Sequence, residues 1–204
     1  MNVHVYIQNG QTVYEPVVEG SVTWDTTRKG QCSFTVIADG KLKIEEGNAV
    51  RLDVNGIPAF FGFIFERSWS REGEVKVTAY DQLLYLKNKD SYSYENKTAG
   101  EIIQMIAGDF NLRVGTLEDT GYPIPLRNEP DTTLFDIILN ALDLTMMATG
   151  KIFVLYDDVG KLSLKNVEEM KLNIMINDET AQDYDFTVSI DKDTYNQIKL
   201  FRDN

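Results

Sequence analysis

Histidine and cysteine are almost missing from this 204-residue chain: each occurs once, as His4 and Cys32. A single cysteine rules out an internal disulfide and is compatible with a reducing compartment. One histidine and one cysteine also exclude the usual zinc ligand sets. A Ser–His–Asp arrangement would have to be built on His4, which falls in an expected strand at the extreme N-terminus and makes a poor catalytic candidate. Glycine-rich phosphate and dinucleotide motifs are missing too. Asp191-Lys192-Asp193 lacks the third ligand and the glycine of an EF-hand loop and reads as a turn. Apolar runs are short, and the longest, around Ala59 to Phe65, has the length of a strand and not of a membrane span. The N-terminus, MNVHVYIQNG, has no basic n-region and no apolar h-region, so no secretory signal is expected. These gaps leave no expected catalytic, cofactor-binding or metal residues, and no cofactor.

Positive charge is also scarce. Twenty Lys and Arg stand against thirty-two Asp and Glu, a formal net charge of −12. That balance argues against a general nucleic-acid binder, because phosphate contacts need clustered cations. The densest basic spot, Lys87 and Lys89, is followed at once by Asp90. The acids are spread in pairs, Glu45-Glu46, Asp157-Asp158 and Asp178-Glu179. The plain reading is a solvated surface; the sharper one is a surface that must repel something anionic. A glycosidase needs only two carboxylates, but so many acids supply pairs by chance. Asn96-Lys97-Thr98 fits a glycosylation sequon, yet Thr98 is better explained as a helix cap. Trp24, Trp69, Tyr92 and Tyr94 could form a sugar-stacking platform, although aromatics at strand spacing are more often core or rim residues.

What is present is β-structure that gives way to mixed structure. Val3, Val5 and Ile7 alternate with polar residues, as do Cys32, Phe34 and Val36, then Val50, Leu52 and Val54. Val22 with Trp24, Phe60 to Phe65 and Glu74 to Tyr80 add further strands. Asn9-Gly10 and Asn55-Gly56 are hairpin signals of type I′. About six or seven strands with close turns suggest a small barrel or sandwich. Gly62, inside FFGFIF, marks a bulge or a close backbone approach. The period changes within VKVTAYDQLLYLKN, Val75 to Asn88, where Leu83, Leu84 and Leu86 suggest a helical turn capped by Asp81.

Thr98-Ala99-Gly100-Glu101 then forms a capping box before Ile102, Ile103, Ile106 and Phe110. A loop with Gly121, Pro123, Pro125 and Pro130 follows. A second helix starts at Thr132 or Thr133, buries Leu134, Phe135, Ile138, Ala141, Leu142 and Thr145, and stops at Gly150. Ile152 to Tyr156 and Lys161 to Lys165 read as strands joined by Asp157-Asp158-Val159-Gly160. Phe186, Val188 and Ile190 return to β character, and the chain stops at Arg202-Asp203-Asn204 without a closing element. The fold class expected is α+β, mainly β.

The run AYDQLLYLKNKDSYSYENKTAGEIIQMIAGDFNLRVG resembles the baseplate hub proteins of contractile phage tails and phage-like particles, in particular the XkdQ/YqbQ type of PBSX-like defective prophages. Thr120-Gly121-Tyr122, TTLFDIILNALDLT, TGKIFVLYDDVGKLSLKN and SIDKDTYNQIKL continue the likeness in order. It is dense from Ala79 to Leu200 and extends back to about Trp24. That family is similar to the hub of T-even phages and to the late-control D proteins.

The resemblance implies a homotrimer in the full-length protein. It implies two tube-like β-barrels per subunit, so that three subunits form a pseudo-sixfold ring between tail tube protein and spike protein. It also implies a middle α+β domain between the barrels. On that basis residues 1–88 are the expected N-terminal β-barrel, 89–176 the α+β middle domain with two helices and a hairpin, and 177–204 the start of a second barrel that is cut short. The implied function is structural, not enzymatic: a virion component of the tail baseplate, assembled in the bacterial host cytoplasm. Its partners would be other baseplate proteins, with no specific nucleic-acid binding and no membrane insertion. The acidity would then line a lumen that passes DNA without holding it. The competing readings are a tail-associated peptidoglycan hydrolase and a cell-wall glycan-binding module.

Overall fold

The alternating N-terminal segments become seven antiparallel strands: β1 (Val3–Asn9), β2 (Thr12–Tyr14), β3 (Val18–Asp25), β4 (Gln31–Ile37), β5 (Ala49–Val54), β6 (Ile57–Trp69) and β7 (Glu74–Tyr80). They come from a computed structural model that describes residues 1–26, 30–38, 40–70 and 73–173. The chain divides into two units, Met1–Met170 and Lys171–Asn204, and the elements described belong to the first. The expected second-barrel start, the strand residues Phe186, Val188 and Ile190, and Asp191-Lys192-Asp193 lie outside the described residues.

The seven strands form one sheet in the order β2-β1-β5-β6-β7-β4-β3. Its two edges, β2 and β3, are consecutive in sequence and joined only by Glu15, Pro16 and Val17. The four Cα steps from Tyr14 to Val18 reach roughly 14 Å at most, so the sheet must curl until its edges approach at that end. The Ile37 N–H donates to the Val17 carbonyl at 3.1 Å and ties the corner. No ladder joins β2 to β3 among the described residues, so the sheet is a curled half-barrel. Period-two alternation turns one residue of each pair inward. Val5, Ile7, Cys32, Phe34, Val36, Val50, Leu52, Phe60, Ile64, Val75, Val77 and Ala79 make the enclosed core.

Asn55 (φ 52°) and Gly56 (φ 79°) close the β5–β6 hairpin with both central residues at positive φ, as type I′ requires. The first hairpin differs from expectation by one residue. Asn9 pairs with Thr12 in the ladder, so the turn is Gly10-Gln11 and only Gly10 takes positive φ, at 57°. Gly62 is a close-approach residue: a Cβ there would lie 2.2 Å from the Tyr80 carbonyl oxygen on β7. The bulge itself falls at Phe65, between the Ile64–Ala79 and Glu66–Thr78 pairs.

After β7 a short 3₁₀ helix runs Gln82–Lys87, N-capped by Asp81, whose side chain accepts from the Leu83 N–H. Next come β8 (Lys89–Tyr94), α1 (Ala99–Asp109), β9 (Val114–Leu117), β10 (Arg127–Thr133), α2 (Leu134–Thr149), β11 (Phe153–Asp157) and β12 (Leu162–Asn166). The Thr98–Glu101 capping box is complete, at 3.3 Å for Glu101 N–H to Thr98 Oγ1 and 2.8 Å for Thr98 N–H to Glu101 Oε2. Thr133 caps α2 and Gly150 ends it at φ 71°.

The β11–β12 hairpin takes β9 as a third strand, parallel to β12. The segment expected as a proline loop contains β10, which pairs with β8. Pro130 is tolerated there because the register shifts between Glu129 and Thr132, and a bulge does not ask proline for an N–H. Both helices bury Ile102, Ile103, Ile106, Leu134, Ile137, Ile138 and Ala141 against β11, β12 and the 3₁₀ helix, in a second core that includes Leu83, Leu86, Phe153, Leu162 and Leu164.

Candidate functional site at the junction of the two cores

Asp81 and Gln82 stand where the chain leaves the sheet, and each side chain ties different segments to that joint. Asp81, 4% exposed, accepts from the Leu83 N–H at 2.9 Å. Its other oxygen lies so close to Gly30 that a Cβ there would sit 1.7 Å from Asp81 Oδ2. The Asp81 N–H donates to the Gly30 carbonyl at 3.0 Å, so β4 and the cap are locked together.

Gln82 clamps the far side. Its Nε2 donates to the Gly160 carbonyl at 2.6 Å and to the Arg113 carbonyl at 3.3 Å, and its Oε1 accepts from the Arg113 N–H at 2.7 Å. One buried amide thereby holds both the start of β9 and the β11–β12 turn. In that turn Asp157 Oδ1 accepts from the Gly160 N–H at 2.6 Å. Gly160 is at φ 83°, and a Cβ on it would lie 2.5 Å from the Phe61 ring of β6. The turn therefore packs its backbone directly on the sheet.

Two carboxyl groups thus face one junction. Burial, and then the charge of Asp157, push Asp81 up to about 7, against the N–H groups of Leu83 and Gly30 that favour the anion. Burial also raises Asp157, opposed by its hydrogen bonds from Gly160 and Gln82. Both line a cleft of about 590 Å³ together with Trp24, Pro58, Phe60, Val154 and Tyr156. The arrangement can hold a proton near neutral pH. No imidazole stands beside it among the described residues, and its first chemical role is to join two cores.

The residues singled out from sequence do not assemble into one site. His4 is on β1, its Nδ1 2.6 Å from Glu15 Oε1. Cys32 is buried in the sheet core, and burial pushes its thiol up to about 12. Trp24 is level with Ala79 across β4, while Trp69 pairs with Val75. Four residues along β7 set those levels roughly 13 Å apart. Tyr94 is buried in the second core, and the Tyr92 hydroxyl donates to Asp109 Oδ2 at 2.8 Å. The four aromatics form no common platform. No group of three His, Cys, Asp or Glu suited to a metal ion occurs among the described residues. The Gln82 clamp escaped sequence reading because nothing local marks a glutamine that bonds across the fold, and Gly160 was legible only as part of the turn between two strands.

The architecture, a curled half-barrel joined to an α+β layer, is that of phage tail proteins of known structure. It superposes on the 43 kDa tail protein of prophage MuSo2 from Shewanella oneidensis with a TM-score of 0.60 at 18% identity, covering 79% of this chain and 52% of that one. The chain belongs to the YqbQ-like family, whose model matches residues 22–204. It is 36% identical over 162 residues to the uncharacterized protein YqbQ of Bacillus subtilis (strain 168), covering 78% of this chain and 49% of that protein. It is 40% identical over 124 residues to the phage-like element PBSX protein XkdQ of the same organism, covering 60% and 38%. The chain spans about half the length, or less, of these curated relatives.

Proposed function

We propose that this chain is part of a structural component of a phage tail or phage-like particle: a baseplate hub subunit that works by geometry and without turnover. The observation that carries the reading is the fold together with the family. The curled half-barrel with its α+β attachment is shared with a prophage tail protein, and the PBSX relative belongs to a phage-like element. In this reading residues 1–88 are a tube-like barrel, 89–176 the middle domain and 177–204 the beginning of a second barrel.

Three full-length subunits form a ring that adapts tail tube to spike within the baseplate of the virion, after assembly in the bacterial host cytoplasm. Closed symmetry of this kind is the usual state of homo-oligomers. Carboxylates facing the lumen keep DNA from adhering as it passes, in keeping with the net charge of −12. No helix among the described residues is long and apolar enough to cross a membrane. The test is the solution mass of the complete protein by light scattering. A trimer is expected, and a strict monomer at high concentration would overturn the hub reading.

One observation favours a tail-associated hydrolase: the Asp81–Asp157 pair lines a cleft and titrates upward. Asp81, however, is buried and spends its carboxylate on capping, so it is poorly placed to reach a glycan. Wall degradation by the wild type that is lost in Asp157→Asn would reverse this preference.

A further inference from the structure

Like the cleft beside Arg51, one apolar groove on this acidic chain has no carboxylate in its lining. It measures about 340 Å³ and is walled by Phe63, Tyr85, Phe110, Leu112 and Arg113, with Gln82 at its floor. Phe63 meets Phe61 edge-on at a centroid distance of 5.7 Å, and the Arg113 guanidinium lies 5.7 Å from the Phe61 ring centre. Phe65, 41% exposed, extends the aromatic row by touching Tyr85 at 6.1 Å.

Arg113 is exposed, and among the described residues it forms no ion pair. The neighbouring Arg51, by contrast, is neutralised by Asp53 at 2.9 Å. The backbone of Arg113 is held on three sides. Its N–H donates to Gln82 Oε1, and its carbonyl accepts from Gln82 Nε2 and from the Leu162 N–H at 2.8 Å. The charged head thus sits on a fixed base, which lowers the ordering cost of binding. Aromatic side chains and arginine are enriched at protein interfaces and among their hot spots.

We propose that this groove is a docking site for an extended partner segment that places an acidic side chain on Arg113 and apolar side chains on Phe63, Tyr85 and Phe110. Charge complementarity selects the occupant: the groove offers one unpaired cation and no acid, so a basic segment gains nothing there. The site does not depend on the hub reading, because ring formation and peptide docking are read by different measurements.

The probes are two capped tripeptides, Ac-Leu-Glu-Phe-NH2 and Ac-Leu-Lys-Phe-NH2, titrated into the 15N-labelled protein. The acidic peptide is expected to shift the Arg113 Nε–Hε and the Phe63 and Leu112 amides, and to bind about fivefold more tightly than the basic one, the size of one exposed ion pair. Arg113→Gln, a change at an exposed head, should leave the fold intact and erase the preference. Added salt should shrink it. Equal affinity for both peptides, shifts confined to other surfaces, or no binding at millimolar peptide would each overturn the proposal.

Discussion

Replacing Asp81 by asparagine should convert a pH-dependent protein into a less pH-dependent one. Asp81 titrates at about 7 in the fold against an ordinary value of 3.8. Each unit corresponds to about 1.4 kcal/mol between protonation states, so ionised Asp81 costs the fold on the order of 4 kcal/mol relative to its protonated form. The folded state binds this proton more tightly than the unfolded chain does. The stability it contributes is therefore fully present below pH 3.8 and is lost as pH rises through about 7. Asp157, also raised, works in the same direction. Asparagine keeps an oxygen for the Leu83 N–H and carries no charge; its NH2 cannot accept from the Gly30 N–H, a loss that is the same at every pH and leaves the pH-dependent part of the difference to the charge.

Urea unfolding of wild type and Asp81→Asn, followed at a series of pH values from acid to mildly alkaline, isolates Asp81 and its coupling to Asp157, because the acids that do not interact with Asp81 cancel in the difference. The difference should move in favour of the variant by about 3–4 kcal/mol between the two ends of the series. A difference that stays constant with pH would refute the reasoning, and so would a variant that loses stability equally at both ends. Asp157→Asn should lower the titration point of Asp81, read by 13C shifts of its carboxyl, because the second-largest cause of the rise is removed.

Gly62→Ala should destabilise by about 3 kcal/mol or more in urea unfolding, since the new methyl meets a backbone carbonyl of β7 that cannot move without breaking the ladder. Gln82→Leu should cost about 3 kcal/mol, because it leaves the Arg113 N–H and the Gly160 carbonyl without their partner. The same variant should speed hydrogen exchange at the Arg113 amide, and unchanged exchange there would show that the clamp is not holding β9.

Local rules were legible where the chemistry is local. The Thr98–Glu101 box, the Thr133 cap, the Gly150 stop and the Asn55-Gly56 turn depend on residues a few positions apart, and each stands where its spacing predicts. Asp81 was readable as a cap for the same reason. Its carboxylate neighbour was not, because Asp157 is far along the chain and reaches the junction only when the β11–β12 turn seats on Phe61. The proline-marked segment misled for a related reason: Pro130 reads as loop until its partner strand β8 and the bulge opposite are known.

By itself, then, the sequence determined the periodicities, the caps, the excess of acid and the ordered likeness to a tail-protein family, all of which are written in neighbouring residues or in their order. Only the tertiary structure decided that the sheet curls until β2 approaches β3, that Gln82 clamps two distant backbone segments, and that Arg113 stands without an acid in an aromatic groove. These depend on which non-local surfaces come into contact. The free energy of such contacts lies in burial, desolvation and hydrogen bonds between segments that no local pattern records.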